Sequence, residues 1–125
     1  MSINVKIDHA RRWVEAIAEG EVSLEDIEEF LDAVIVADAL PYRKLFDGRA
    51  SYGTYTDEEV MRLAARLSAY ASLGRRGSVA LVSPVQYFDL ATRVLNLDRR
   101  EQPGRAFIDI DEARRWLEAQ PEVSG

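Results

Sequence analysis

The sequence predicts an α/β domain, a mostly parallel sheet with packed helices in the order β-β-α-β-α-β-α-β-α. Three observations predict it. Ile3, Val5 and Ile7 alternate with Asn4, Lys6 and Asp8, the period of two expected of a half-buried strand. Strand-like runs then take turns with helices whose first residues carry side-chain caps. Val79-Ala80-Leu81-Val82 is a continuous apolar run, as expected for a strand covered on both faces in a parallel arrangement.

The elements follow in order. After the first strand, His9-Ala10-Arg11 forms a turn, and Arg12 to Glu19 returns as the second strand of a hairpin that Gly20 ends. Ser23 caps the first helix, with Asp26 at the third helical position. Leu24, Ile27, Leu31, Val34 and Ile35 recur at helical spacing until Pro41 stops the chain. Tyr42 to Asp47 is read as a short strand and Gly48 to Tyr55 as a polar loop. Thr56-Asp57-Glu58-Glu59 is a capping box that opens the second helix. Val60, Leu63, Ala64, Leu67 and Ala71 are its inward stripe, and Gly74 is its terminator. Ser78 to Val82 is the central strand. Ser83-Pro84-Val85-Gln86 then reads as a serine cap with proline at the first helical position. The third helix uses Val85, Phe88, Ala91, Val94 and Leu95. A charged loop runs from Asp98 to Gly104, and Arg105 to Ile108 is the last strand. Asp109 caps a fourth helix that faces inward through Ala113, Trp116 and Leu117. One domain over residues 1–125 is expected, with a flexible tail at 121–125.

Composition narrows the function classes. A chain of 125 residues with 47% hydrophobic and 30% charged side chains is an ordinary single globular domain. It has no cysteine, so disulfides and thiolate chemistry are excluded. The net charge of −6 is unevenly spread. Residues 1–42 hold ten acids and three bases, while residues 43–125 hold twelve acids and thirteen bases. No basic footprint for a phosphate backbone emerges, so nucleic acid is not an expected partner. The opening residues lack the apolar core of a signal peptide, and the apolar runs are far shorter than a membrane span. A cytoplasmic protein without membrane insertion is the expectation.

Several stretches carry a resemblance: DHARRWVEAIAEG from Asp8, the helix opening VSLEDI, PYRKLFD, the long TDEEV helix, SVALVSP and the closing DEARRWLEA. Together they resemble the STAS family, whose simplest members are SpoIIAA-type anti-sigma factor antagonists, and in particular a group of stand-alone bacterial SpoIIAA-like domains. The resemblance implies a regulatory, protein-binding domain that works without a cofactor. In the antagonists a serine at the start of the second helix, within Asp-Ser-X-Gly, is phosphorylated by a kinase partner. A phosphate there would meet free helix N–H groups and alter a docking surface. The matching place here reads Asp57-Glu58-Glu59-Val60. Asp57 carries over, Glu58 stands in the serine's place and the glycine is absent, so the family's phospho-switch is not expected.

The candidate site is the stretch around this helix start: Tyr42, Ser51, Tyr52, Tyr55, Asp57 and Glu58. The tyrosines admit two readings, as a cover for the core edge or as a contact surface with apolar bodies and polar tips. The first functional expectation is a non-enzymatic module that docks a protein partner through the second helix. The alternative is a domain that binds a small apolar, lipid-like ligand beneath the loop and helices, as in a lipid-carrier family of related topology. Self-association through a helix pair or sheet edge fits either reading. No convergent catalytic set is expected. The lone His9 reads as a solvated turn residue, and the acid runs diverge along their helices instead of converging on a metal. Arg75 and Arg76 read as a solvent turn.

Overall fold

The computed structural model describes residues 2–98 and 102–124. Its sheet has five strands in the spatial order β1-β2-β3-β4-β5. β1 (Ile3–Asp8) runs antiparallel to β2 (Trp13–Glu21), and β3 (Arg43–Tyr52), β4 (Val79–Val82) and β5 (Gly104–Phe107) continue parallel to β2. The connections carry α1 (Leu24–Val36), α2 (Asp57–Ala69), α3 (Phe88–Leu97) and, after β5, α4 (Ile110–Glu118). The element order expected from the sequence is present, and the sheet is mixed through its opening hairpin.

Both reciprocal capping boxes form. Ser23 Oγ accepts from Asp26 N at 3.2 Å while Asp26 accepts from Ser23 N at 2.9 Å. Thr56 and Glu59 exchange the same pair at 3.1 and 3.0 Å. Asp109 caps α4 by accepting from Asp111 N at 2.8 Å. A 3-10 turn (Tyr70–Leu73) prolongs α2 and ends at Gly74, whose φ of 148° suits glycine.

Two packed cores lie on opposite faces of the sheet. Val14, Ala16 and Ala18 of β2 meet Phe30 and Val34 of α1, with Ile3 and Tyr42 beside them. On the other face Leu45, Ala80, Val82 and Phe107 meet Ala113 and Leu117 of α4, with Trp13 at the edge. Strand alternation thus divides β4: Ala80 and Val82 serve the α4 core, and Val79 and Leu81 face the side of α1, α2 and α3.

Several expectations are corrected. β2 does not end at Gly20. A register shift between Ile17 and Glu19, with Gly20 at φ 73°, lets it run on to Glu21. That extension supplies partners for Ala50, Ser51 and Tyr52, so β3 continues through most of the expected Gly48–Tyr55 loop. Ser83 is not a helix cap. Its N–H donates to the Phe107 carbonyl at 2.9 Å, which keeps it in the sheet ladder. A 3-10 turn (Val85–Tyr87) then precedes α3, with no side-chain cap at either start. Arg76 is not in a solvent turn: it is 3% exposed and paired with buried Asp98 at 3.0 Å, whereas Arg75 is exposed. His9 is exposed, yet its Nδ1 makes a 2.7 Å hydrogen bond with the Tyr42 hydroxyl. Within the tail, Val123 is buried and its carbonyl accepts from Arg12 Nη2 at 2.7 Å. The middle of the expected charged loop, residues 99–101, and Gly125 lie outside the described residues.

Candidate functional site

On the α1–α2–α3 side the sheet is not filled by side chains. A cavity of about 240 Å³ lies there, floored by Phe46, Val79 and Leu81. Its walls are the inward stripes of three helices: Leu24, Ile27 and Leu31 of α1, Val60, Leu63 and Leu67 of α2, and Leu90, Val94 and Leu95 of α3. The main backbone contacts of α2 run to α1, α3 and the 3-10 turn after it, so it bridges the hollow more than it rests on a strand. Ion pairs fasten it at its sides. Arg62 meets Glu28 at 2.8 Å, Arg66 meets Asp32 at 2.6 Å, and Arg93 of α3 meets Asp57 at 3.2 Å.

Polar groups stand at the two ends. At the amino end of the parallel strands, Lys44 Nζ donates to the carbonyls of Leu40 and Tyr42, both at 2.6 Å. Arg76 Nη1 there donates to Leu67 O at 2.7 Å and to Asp98. At the carboxyl end are Ser51, Tyr52, Tyr55, Glu59, Ser83 and Tyr87. Tyr55 Oη donates to Val22 O at 2.6 Å and Ser51 Oγ to Gly48 O at 2.7 Å. Burial raises the Tyr55 phenol above its ordinary pKa, and Tyr87, Asp26 and Glu59 add to the effect. The phenol is therefore a hydrogen-bonding group and not a base.

This geometry separates the residues singled out in the sequence. Ser51, Tyr52 and Tyr55 line the carboxyl end of the cavity, with Tyr52 still 56% exposed. Tyr42 precedes β3 at the opposite end, where it is buried against β2 and α1 and bonded to His9. Asp57 and Glu58 are exposed on the first turn of α2 and form no part of the cavity wall. Sequence reasoning missed Phe46, Leu81, Ser83, Tyr87 and Leu90 as wall residues. Helical spacing marked the inward stripes of α2 and α3, but an inward stripe that faces a cavity has the same period as one that faces a core. No group of three or more possible metal ligands occurs among the described residues. No described helix is long and apolar enough to cross a membrane.

Among solved structures, the chain is similar to a crystal structure of an uncharacterized DUF3478-family protein with a SpoIIAA-like fold from Shewanella loihica PV-4. The alignment has a TM-score of 0.60 and 20% sequence identity, and it covers 93% of this chain and 94% of that one. The fold is SpoIIAA-like. The likeness expected from the sequence therefore holds for the architecture, at an identity that speaks for fold alone. No family model and no curated protein matches the chain. In this SpoIIAA-like domain the start of α2 carries Asp57 and Glu58 outside the cavity, and the cavity lies beneath the same helix.

Proposed function

We propose that this SpoIIAA-like domain is a non-enzymatic binding module that takes a small apolar molecule between the sheet and α1, α2 and α3. The cavity carries this reading. Natural interiors are close-packed, and a hollow of this size forgoes much dispersion energy unless something fills it. An apolar cavity of about 150 Å³ admits a benzene ring. By proportion, about 240 Å³ accommodates on the order of ten carbon atoms. The wall offers a ligand hydrocarbon contact almost throughout. The single histidine lies in the β1–β2 turn, away from the wall.

The test is uptake of N-phenyl-1-naphthylamine, a dye that brightens in apolar surroundings, alongside native mass spectrometry of the purified protein. Saturable brightening is expected, reduced at least about tenfold in affinity by Leu63→Trp, which fills the space below α2. No brightening together with no co-purifying mass would sink the reading.

A second reading, protein docking through α2 and the segment before it, draws on exposed side chains. Tyr52 and Met61 are 56% and 51% exposed, and Met61 stands one helical turn beyond Asp57. The acidic start of the helix would favour a basic partner. Tyr52→Ala with Met61→Ser should then weaken partner capture without changing the melting temperature, and an unchanged capture profile would count against docking here.

A further inference from the structure

The polar groups at the two ends of the cavity are not equivalent. At the amino end both cations turn toward acceptors of the protein itself: Lys44 toward the Leu40 and Tyr42 carbonyls, Arg76 toward the Leu67 carbonyl and Asp98. At the carboxyl end Ser51 and Tyr55 also donate to backbone carbonyls, and Glu59 closes the cap of α2. Ser83 differs. It lines the cavity, it is 6% exposed, and its Oγ has no hydrogen-bond partner. A buried hydroxyl without a partner is uncommon and costly.

Its direction follows from the strand. Leu81 floors the cavity, and Ser83 stands two residues on while its N–H still joins the ladder through Phe107 O. The period of two puts Ser83 on the Leu81 side. Ser78 supplies the contrast. Its Oγ is also buried and unpartnered, but it falls on the Ala80 and Val82 side and is not a wall residue.

We propose that the cavity binds an uncharged single-chain amphiphile, an alcohol or an ester, with its chain among the three helices and its oxygen bonded to Ser83 Oγ. This rests on the apolar-ligand reading above and names the ligand class for the same site. The hydroxyl can donate to an ester carbonyl, and it can both donate to and accept from an alcohol. A carboxylate is disfavoured at this end. Glu59 is part of the wall, and Asp26 is close enough, with Glu59, to act on the Tyr55 phenol. The two cations among the described wall residues, Lys44 and Arg76, are at the other end.

The experiment is displacement of N-phenyl-1-naphthylamine by 1-decanol and by decanoate at pH 8. It compares the wild-type protein with Ser83→Ala and Ser78→Ala, each checked by thermal melting. Decanol should displace the dye at a concentration about tenfold lower than decanoate. Ser83→Ala should weaken decanol about tenfold more than it weakens the dye. Ser78→Ala should alter neither. Equal displacement by decanoate, or a Ser83→Ala protein that binds decanol like wild type, overturns the proposal while the apolar-ligand reading stands. A protein that takes up neither dye nor decanol overturns both.

Discussion

At the scale of single residues, Arg76 and Asp98 set the strictest requirement on the fold. Their side chains are 3% and 0% exposed, and one guanidinium nitrogen meets both carboxylate oxygens, at 3.0 and 3.1 Å. The same nitrogen donates to the Leu67 carbonyl, so the pair also locates the end of α2. Two desolvated charges stabilise only as a pair, and removing one partner takes a counter-charge away from the other in a buried setting. Asp98→Asn is therefore expected to destabilise the protein by about 3 kcal/mol in urea unfolding. A loss below about 1 kcal/mol would show that the pair contributes little to holding α2. The sequence alone could not expose this pair. Asp98 is 22 positions from Arg76, and an Arg-Arg dipeptide between glycines has the composition of a solvent turn.

At the scale of elements, α2 is well specified at its start and weakly held along its length. Thr56 and Glu59 fix where it begins, and Thr56→Ala should cost about 1 kcal/mol, read as a lower melting temperature. Beyond the cap it buries Val60 and Ala64 and is held at its far end through Leu67 O, but the ion pairs along its sides are on the surface, each worth less than about 1 kcal/mol and weakened by salt. By contrast α4 buries Ala113 and Leu117 completely against the sheet. Amide hydrogens of α2 are thus expected to exchange faster than those of α4, and faster still at high salt; equal protection of the two helices would contradict this. The same contrast marks what was legible beforehand. Cap chemistry is local, so Ser23 and Thr56 placed two helix starts within a few residues of sequence. The length of β3 was not legible, because Ala50, Ser51 and Tyr52 owe their strand conformation to Glu19–Glu21, far back in the chain. Ser83 misled as well. Serine before proline is good cap chemistry, but Pro84 stays extended at ψ 154°, so no helical turn begins there for Ser83 to cap. Ser51, Tyr52 and Tyr55 were singled out through the expected loop and lie at the carboxyl end of the cavity, while the cavity itself is a relation among three helices that no single periodicity contains.

At the scale of the whole molecule, acid and packing each make a prediction. The Arg114 guanidinium, bonded to Glu15 at 2.7 and 3.0 Å, holds that carboxyl below the ordinary value of 4.5, and Arg49 does the same for Asp47. A depressed carboxylate contributes stability above its unfolded pKa and loses it as pH falls through the folded one. Glu15→Gln should accordingly lose up to about 1 kcal/mol at pH 7 and show a flatter stability curve below about pH 4.5, measured by urea titration across pH. Packing supplies the sharper test, because it sets stability against binding. The α4 side of the sheet is filled, while the other side combines a packed edge under α1 with a hollow under α2 and α3. Ala91 of α3 faces that hollow and is nearly buried. If the hollow were only imperfect packing, a larger side chain there would stabilise the protein and change nothing else. If it is a binding site, the same change must stabilise and also exclude the ligand. Ala91→Leu is expected to raise stability by about 1 kcal/mol, or roughly 3 °C in melting temperature, in the unliganded protein. It should also weaken dye uptake at least about tenfold, and the rise in melting temperature that 1-decanol gives the wild type should disappear, since a ligand stabilises only the state it binds. A variant that melts higher and still takes up dye as the wild type does would mean that the space under α2 and α3 is not where the ligand goes.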